Sequence, residues 1–232
     1  MATLSSPPKE HRTFWDCLDS TDRHHWIQAA YSQFRKNQSI NLCSRPEPRE
    51  SVPSDVKVLS TVLAPKIKKK GSNLYEFTLR MCANGSRQVK GVDFDFSWSP
   101  TVSASGLRLT LMAASVFDLT IGTLDAVNCF QSTNREPSKR LTIHTPPFYM
   151  SWFKKEFPHI QVDHFPSGHY VLQLLKGLQG DKSIGRDWYL LLVRLLGELE
   201  YVPCPAEPAV FIYKNQDQLM LACTSTDDIL CA

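Results

Sequence analysis

Near its C-terminus the chain reads CTSTDDILCA, which sets two carboxylates, Asp227 and Asp228, side by side between polar Ser225-Thr226 and apolar Ile229-Leu230. With 14 Asp among 232 residues, about one adjacent pair arises by chance, so the pair carries meaning only with a third acidic partner. Asp125, at the end of the alternating stretch LTIGTLDA, is that partner: a strand-end carboxylate to set beside a hairpin-tip pair. Carboxylates grouped in this way suit Mg²⁺, which takes a few protein oxygens and completes its shell with water and substrate phosphate. Two such ions activate an attacking 3′-oxygen and stabilise a leaving pyrophosphate in an in-line displacement. Asp125, Asp227 and Asp228 are therefore the candidate catalytic and metal-holding residues, with two Mg²⁺ ions expected and Mn²⁺ as an alternative.

Such a grouping requires strands on both sides. The close of the chain runs AVFIY, a polar link KNQDQ, LMLACTS, the two aspartates and ILCA, which reads as strand, turn, strand, tight turn, strand. The last strand, from Ile229, is short and is expected to leave a ragged apolar sheet edge. GLRLTLMAASVFD predicts a helix with Leu107, Leu111 and Ala114 on one face. RDWYLLLVRLLGELEY predicts the clearest helix, with Trp188, Leu191, Leu192, Leu195 and Leu199 as its apolar stripe.

Toward the N-terminus, HHWIQAAYSQFRKN places Trp26, Ala30 and Phe34 at four-residue steps, an amphipathic helix. VKVLSTVLAPKIKKK and NLYEFTLRMCA alternate and join through Gly71-Ser72-Asn73, a hairpin. Its tip carries Lys66, Lys68, Lys69 and Lys70, and its return strand carries Arg80, which is either solvated surface or a phosphate-gripping finger. Residues 1–20 are polar, contain Pro7-Pro8 and are expected to form a loosely held arm. His159, His164 and His169 recur at five-residue spacing, but Pro166 and Gly168 break any helix there, which argues against a metal cluster.

The totals narrow the class. A net charge of +3 is unevenly spread: residues 1–91 hold 15 Lys/Arg against 8 Asp/Glu, and the remainder 11 against 15. A basic front and an acidic back let one part attract phosphates while the other holds cations, or are simply uneven solvated surface. The N-terminal MATLSSPPKEHR has no apolar core of a secretory signal, and no apolar run reaches the ~18 residues of a membrane span. Seven scattered Cys without a C-x-x-C pair suit reduced thiols in the cytosol. No G-x-S-x-G, G-x-G-x-x-G or P-loop pattern occurs.

GVDFDFSWSPTVSASGLRLTLMAASVFDLTIGTLDAVNCF resembles the copia-type retrotransposon reverse transcriptases. Gly91-Val92-Asp93-Phe94, Ser99-Pro100 and Asp125-Ala126-Val127-Asn128-Cys129-Phe130 match that family's G-[IV]-D-[FY], S-P and DVKxAF segments. LAPKIKKKGSNLYEFTLRMCANGSRQ looks like its finger hairpin, LLKGLQGDKSIGRDWYLLL like its LYGLKQxPRxW segment, and STDDIL stands where it has YVDDIL. The blocks keep family order across about residues 57–230.

The resemblance implies an α+β fold: right-hand polymerase fingers and a partial palm, mainly antiparallel sheet with packed helices, thumb and RNase H absent. After the arm, residues 21–97 and 133–180 would form fingers, and 98–132 and 181–232 the partial palm. The implied activity is RNA-directed DNA synthesis, two-metal nucleotidyl transfer from a dNTP to a primer 3′-OH on an RNA or DNA template. Asp125 and Asp227 match the metal-binding aspartates, and Asp228 accompanies them. Phe130 matches the aromatic under the incoming sugar that excludes a 2′-OH, or is a core aromatic on a short helix. Arg80 matches the finger arginine for the triphosphate, with Lys66 and Lys68 as further candidates and Gln179 as polar support for the nucleotide. No membrane partner is implied, and the expected setting is a cytoplasmic retroelement particle with nuclear access, within a longer polyprotein. Departures are Ser225 and Thr226 in place of an aromatic and Val, and the altered stretch Gly180-Asp181-Lys182-Ser183-Ile184-Gly185. With the stop four residues past Asp228, the alternative is a truncated, inactive remnant that retains at most nucleic-acid binding.

Overall fold

The computed structural model describes residues 2–3, 7–162, 169–216 and 218–232. In chain order its elements are β1 (Ala2–Thr3), α1 (Phe14–Leu18), α2 (Arg23–Ser39), β2 (Glu47–Pro48), β3 (Val58–Leu59), β4 (Thr61–Lys69), β5 (Leu74–Ala83), α3 (Ala104–Val116) and β6 (Gly122–Asp125). There follow β7 (Thr142–His144), α4 (Tyr149–Glu156), β8 (Tyr170–Gln173), α5 (Ile184–Glu198), β9 (Val202–Cys204), β10 (Glu207–Lys214), β11 (Leu219–Ser225) and β12 (Asp228–Cys231). The fold is α+β. The chain divides into two compact units, residues 1–87 with 134–181 and residues 88–133 with 182–232. The breaks expected from sequence lie at 97/98, 132/133 and 180/181. His164, one of the three spaced histidines, lies outside the described residues. Among the described residues no helix is long and apolar enough to cross a membrane, and all seven cysteines are free.

In the first unit β4 and β5 form the expected hairpin, paired from Thr61↔Ala83 to Lys69↔Tyr75. A second sheet has the order β2-β8-β7-β3, with β3 and β7 parallel. The four-residue steps of α2 are its buried face: Trp26, Ala30 and Phe34 are enclosed with Leu63, Leu79 and Met81 of the hairpin. Phe34 packs its ring 5.2 Å from Tyr149 and 5.5 Å from Trp152 of α4. Truncating such a buried aromatic to Ala costs about 3–5 kcal/mol. The expected loose arm does not hold over its second half. Thr13 Oγ1 accepts from Asp16 N–H (3.2 Å) and Asp16 Oδ2 accepts from Thr13 N–H (3.1 Å), a reciprocal cap that starts α1. That helix buries Phe14, Cys17 and Leu18 in the same core, so apolar burial outweighs the polar, proline-containing flank.

The second unit is built on one antiparallel sheet of order β6-β12-β11-β10-β9. The expected ragged edge at the last strand is absent, because β6 pairs with β12 along its far side. Phe211, Ala222 and Tyr189 of α5 are buried together, with Ile229 and Cys231 packed on them, so α5 covers one sheet face. Cys223, which alternates with Ala222, lies near the Thr110 side chain, and α3 packs on β11, so α3 lies on the other face. The buried face of α3 is Gly106, Thr110 and Ala114, not Leu107, Leu111 and Ala114, and Leu111 is exposed. Small residues bring the helix close, and the Glu207 carboxylate lies over Gly106 while accepting from Ser103 Oγ. In α5 the burial falls on Ile184, Trp188, Tyr189 and Leu192, whereas Leu195 and Leu199 of the expected stripe are exposed.

Back in the first unit, the segment after β8 returns to the end of β5, where Ala83 N–H donates to Gln179 O at 2.8 Å. Gly180 follows with φ +89°, and a Cβ there would stand 2.0 Å from Ala83 O. Glycine alone fits both the dihedral and the gap. Gly180→Ala is expected to lower unfolding free energy by about 2 kcal/mol or more, measured by urea denaturation; a midpoint equal to that of the unaltered chain would show that the segment does not dock this way.

Candidate active site

Asp125 ends β6 and Asp228 opens β12, and the two are direct partners in the antiparallel ladder. Opposed residues of such a pair have Cβ atoms about 4.5–5.5 Å apart on the same face. Ile229 packs toward α5, so alternation turns Asp228 and its partner Asp125 to the opposite face, where both are exposed. Asp227 precedes them in the β11–β12 turn, also exposed, after Thr226 in the left-handed region with φ +59°. Two hydrogen bonds fix that turn. Trp188 Nε1–H donates to Thr226 O at 2.7 Å, and Ala126 N–H donates to Asp227 O at 2.8 Å.

Beyond Asp125 the chain passes Asn128, left-handed at φ 56°, into a 3₁₀ turn over Cys129–Ser132. Cys129 is buried with Trp188 and Leu192, and half-buried Phe130 packs on that cluster. Phe130 is thus partly core and partly accessible, one sequence step from the thiol. Burial pushes the Cys129 thiol up to about 11, helped by the negative charge of Asp227 and, less strongly, of Asp125. The buried thiol therefore lies within the field of both carboxylates.

Two like charges directly opposed on neighbouring strands repel, and a divalent cation is the natural offset. Among the described residues no group of three His, Cys, Asp or Glu side chains stands ready to hold a metal ion. Asp125 and Asp228 are thus opposed in the ladder, with Asp227 in the adjoining turn, without forming a ready metal group.

The basic candidates lie in the other unit. Lys66, Lys68 and Arg80 are exposed and share one face of the β4–β5 hairpin, opposite Thr78, Glu76 and Ala64 respectively. The alternate residues Leu63, Leu79 and Met81 fill the core. Gln179 is half-buried at the end of β5 through the bond from Ala83 N–H. Asp125, Phe130, Asp227 and Asp228 gather in the second unit, and Lys66, Lys68, Arg80 and Gln179 in the first. The sequence places Trp188 in a core stripe and in the segment that looks like LYGLKQxPRxW, with no role at the carboxylates. The signal is chemical: a buried indole N–H usually takes an acceptor, as that of Trp188 takes Thr226 O, while those of Trp26 and Trp152 find none among the described residues.

No family model matches the chain. It is similar to the retrovirus-related Pol polyprotein from transposon TNT 1-94 of Nicotiana tabacum, 23% identical over 98% of this chain and 16% of that protein. Its curated relatives are transposon polyproteins. The retrovirus-related Pol polyproteins from transposons RE1 and RE2 of Arabidopsis thaliana are 26% and 24% identical, over 77% and 99% of this chain. The chain spans 16%, 11% and 14% of the lengths of these three relatives. At this level of identity they support a retrotransposon origin.

The field at Cys129 is open to a direct test. Asp227→Asn removes a negative charge that disfavours the thiolate, so the Cys129 pKa falls from about 11 toward the ordinary 9 and alkylation becomes faster near pH 9. Peptide-resolved alkylation rates across pH measure this shift; an unmoved profile would mean that the carboxylate does not act on the thiol.

Proposed function

We propose that the chain is the fingers and palm of an RNA-directed DNA polymerase of a copia-type retrotransposon. The observation that carries this reading is the opposed pair Asp125 and Asp228, with Asp227 in a turn bonded to the backbone just after Asp125. The motif order across the chain and the similarity to transposon Pol polyproteins support it. The reaction is attack of a primer 3′-OH on the α-phosphate of a dNTP with loss of pyrophosphate, on an RNA or DNA template. Asp125 and Asp227, accompanied by Asp228, would hold Mg²⁺ or Mn²⁺, which when bound supplies positive charge at the reacting phosphate.

Arg80 offers a guanidinium fork to the triphosphate, with Lys66 and Lys68 adding charge on the same hairpin face. Gln179 gives polar support to the nucleotide. The Phe130 ring, half-exposed next to the buried cluster, lies under the incoming sugar and disfavours a 2′-OH. The working partners are primer–template, dNTP and the rest of a retroelement polyprotein, in a cytoplasmic particle with nuclear access.

A second reading, a retroelement remnant that binds nucleic acid without synthesis, is favoured by two features. Ser225 and Thr226 replace the motif's aromatic and Val, and no three-residue metal group is preformed among the described residues.

Extension of a labelled primer on an RNA template with Mg²⁺ separates the two. Asp227→Asn is expected to reduce extension on the order of 10²-fold or more, and Phe130→Val to admit ribonucleotides while folding is retained. Extension that survives Asp227→Asn would overturn the assignment of the carboxylates. Primer–template binding that weakens with salt, without synthesis, would leave the remnant reading in place.

A further inference from the structure

We propose that Trp188 is a positioning residue for Asp227 and Asp228, acting through the Thr226 carbonyl and not through contact with substrate. The turn it holds is short and strained. Thr226 is β-branched and left-handed at φ +59°, a conformation that persists only where the surroundings fix it. Two donors reach this turn. Ala126 N–H meets Asp227 O from the β6 side, and Trp188 Nε1–H meets Thr226 O from the α5 side at 2.7 Å.

The indole is well placed to hold its donor still. Trp188 is 6% exposed and packs with Cys129 and Leu192, which lie against Phe130, Ala126 and Ile229. Ile229 is the neighbour of Asp228, and Ala126 the neighbour of Asp125. The cluster that holds Trp188 thus packs against the residues beside both opposed carboxylates, and its indole bonds the peptide that precedes Asp227. The carboxylates themselves are exposed, so the backbone under them, not side-chain packing, sets where they point. On the polymerase reading, the orientation of this turn sets how Asp227 and Asp228 face a cation. Outer partners that orient metal-holding groups typically change metal affinity by ~10–100-fold when removed.

The inference rests on the polymerase reading for its chemical consequence, and the clamp itself is tested without it. Trp188→Phe keeps an aromatic ring in the cluster but removes the donor. A chain with benzothienylalanine at position 188 replaces the N–H by sulfur at nearly constant shape, should the phenylalanine variant fold poorly. Three readouts are taken on each: thermal melting, hydrogen exchange of the backbone amides from Ser225 to Ile229, and Mn²⁺ titration followed by its paramagnetic signal.

The expected result is melting close to that of the unaltered chain, turn amides exchanging at least tenfold faster, and a Mn²⁺ midpoint raised about tenfold. Asp125→Asn serves as the reference that removes a ligand without touching the clamp: it should weaken Mn²⁺ while leaving turn exchange unchanged. Turn amides that exchange at the unaltered rate in the Trp188 variants would overturn the proposal. So would an unmoved Mn²⁺ midpoint in a chain whose Mn²⁺ binding Asp125→Asn does weaken. Should Mn²⁺ bind independently of Asp125, the polymerase reading falls, and the exchange arm alone still decides whether Trp188 sets the turn.

Discussion

The second unit depends on the backbone ladder that inserts β12 between β11 and β6. A four-residue strand has too few hydrogen bonds to stand alone, and pairing along both sides satisfies its amides and carbonyls at once. The same ladder fixes register: Ile229 and Cys231 turn toward α5, and Asp228 turns away from it, opposite Asp125. A slip by one residue would exchange these faces, burying a carboxylate and exposing the apolar pair. Burial of Ile229 and Cys231 therefore enforces the opposition of the two aspartates, although that opposition is itself unfavourable by charge.

Two of the six left-handed non-glycine residues among the described residues lie beside this ladder. Asn128 and Thr226 both occupy the left-handed region, one three residues after Asp125 and the other directly before Asp227. Asn tolerates that conformation more readily than a β-branched Thr, and only the turn with Thr226 is tied to a buried indole. The Thr226 conformation is thus held by buried packing and by two hydrogen bonds to its turn.

The first unit uses a different economy. Its hairpin presents a two-residue alternation in which Leu63, Leu79 and Met81 supply the core while Lys66, Lys68 and Arg80 remain in solvent. Apolar burial on one face pays for a run of like charges on the other. The close return of Gln179-Gly180 to the end of β5 adds a backbone anchor where no side chain could fit.

Much of this was written in periodicity. The steps of Trp26, Ala30 and Phe34, the alternation of the finger hairpin and the strand ending on Asp125 are local patterns, and local sterics are enough to read them. The capping box at Thr13 and Asp16 was equally local, but the proline-rich flank masked it. The face of α3 was not legible, because Gly106, Thr110 and Ala114 are buried for their smallness against the sheet, which no hydrophobicity pattern reports. Nor was the partner of β12, since strand pairing between residues far apart in sequence leaves no trace in either segment. By itself the sequence determined which residues could do chemistry and which short elements carry them. Only the tertiary structure decided that Asp228 is the residue opposite Asp125 and that Trp188 holds their turn, because register and hydrogen-bond partnership are set by packing across the whole sheet.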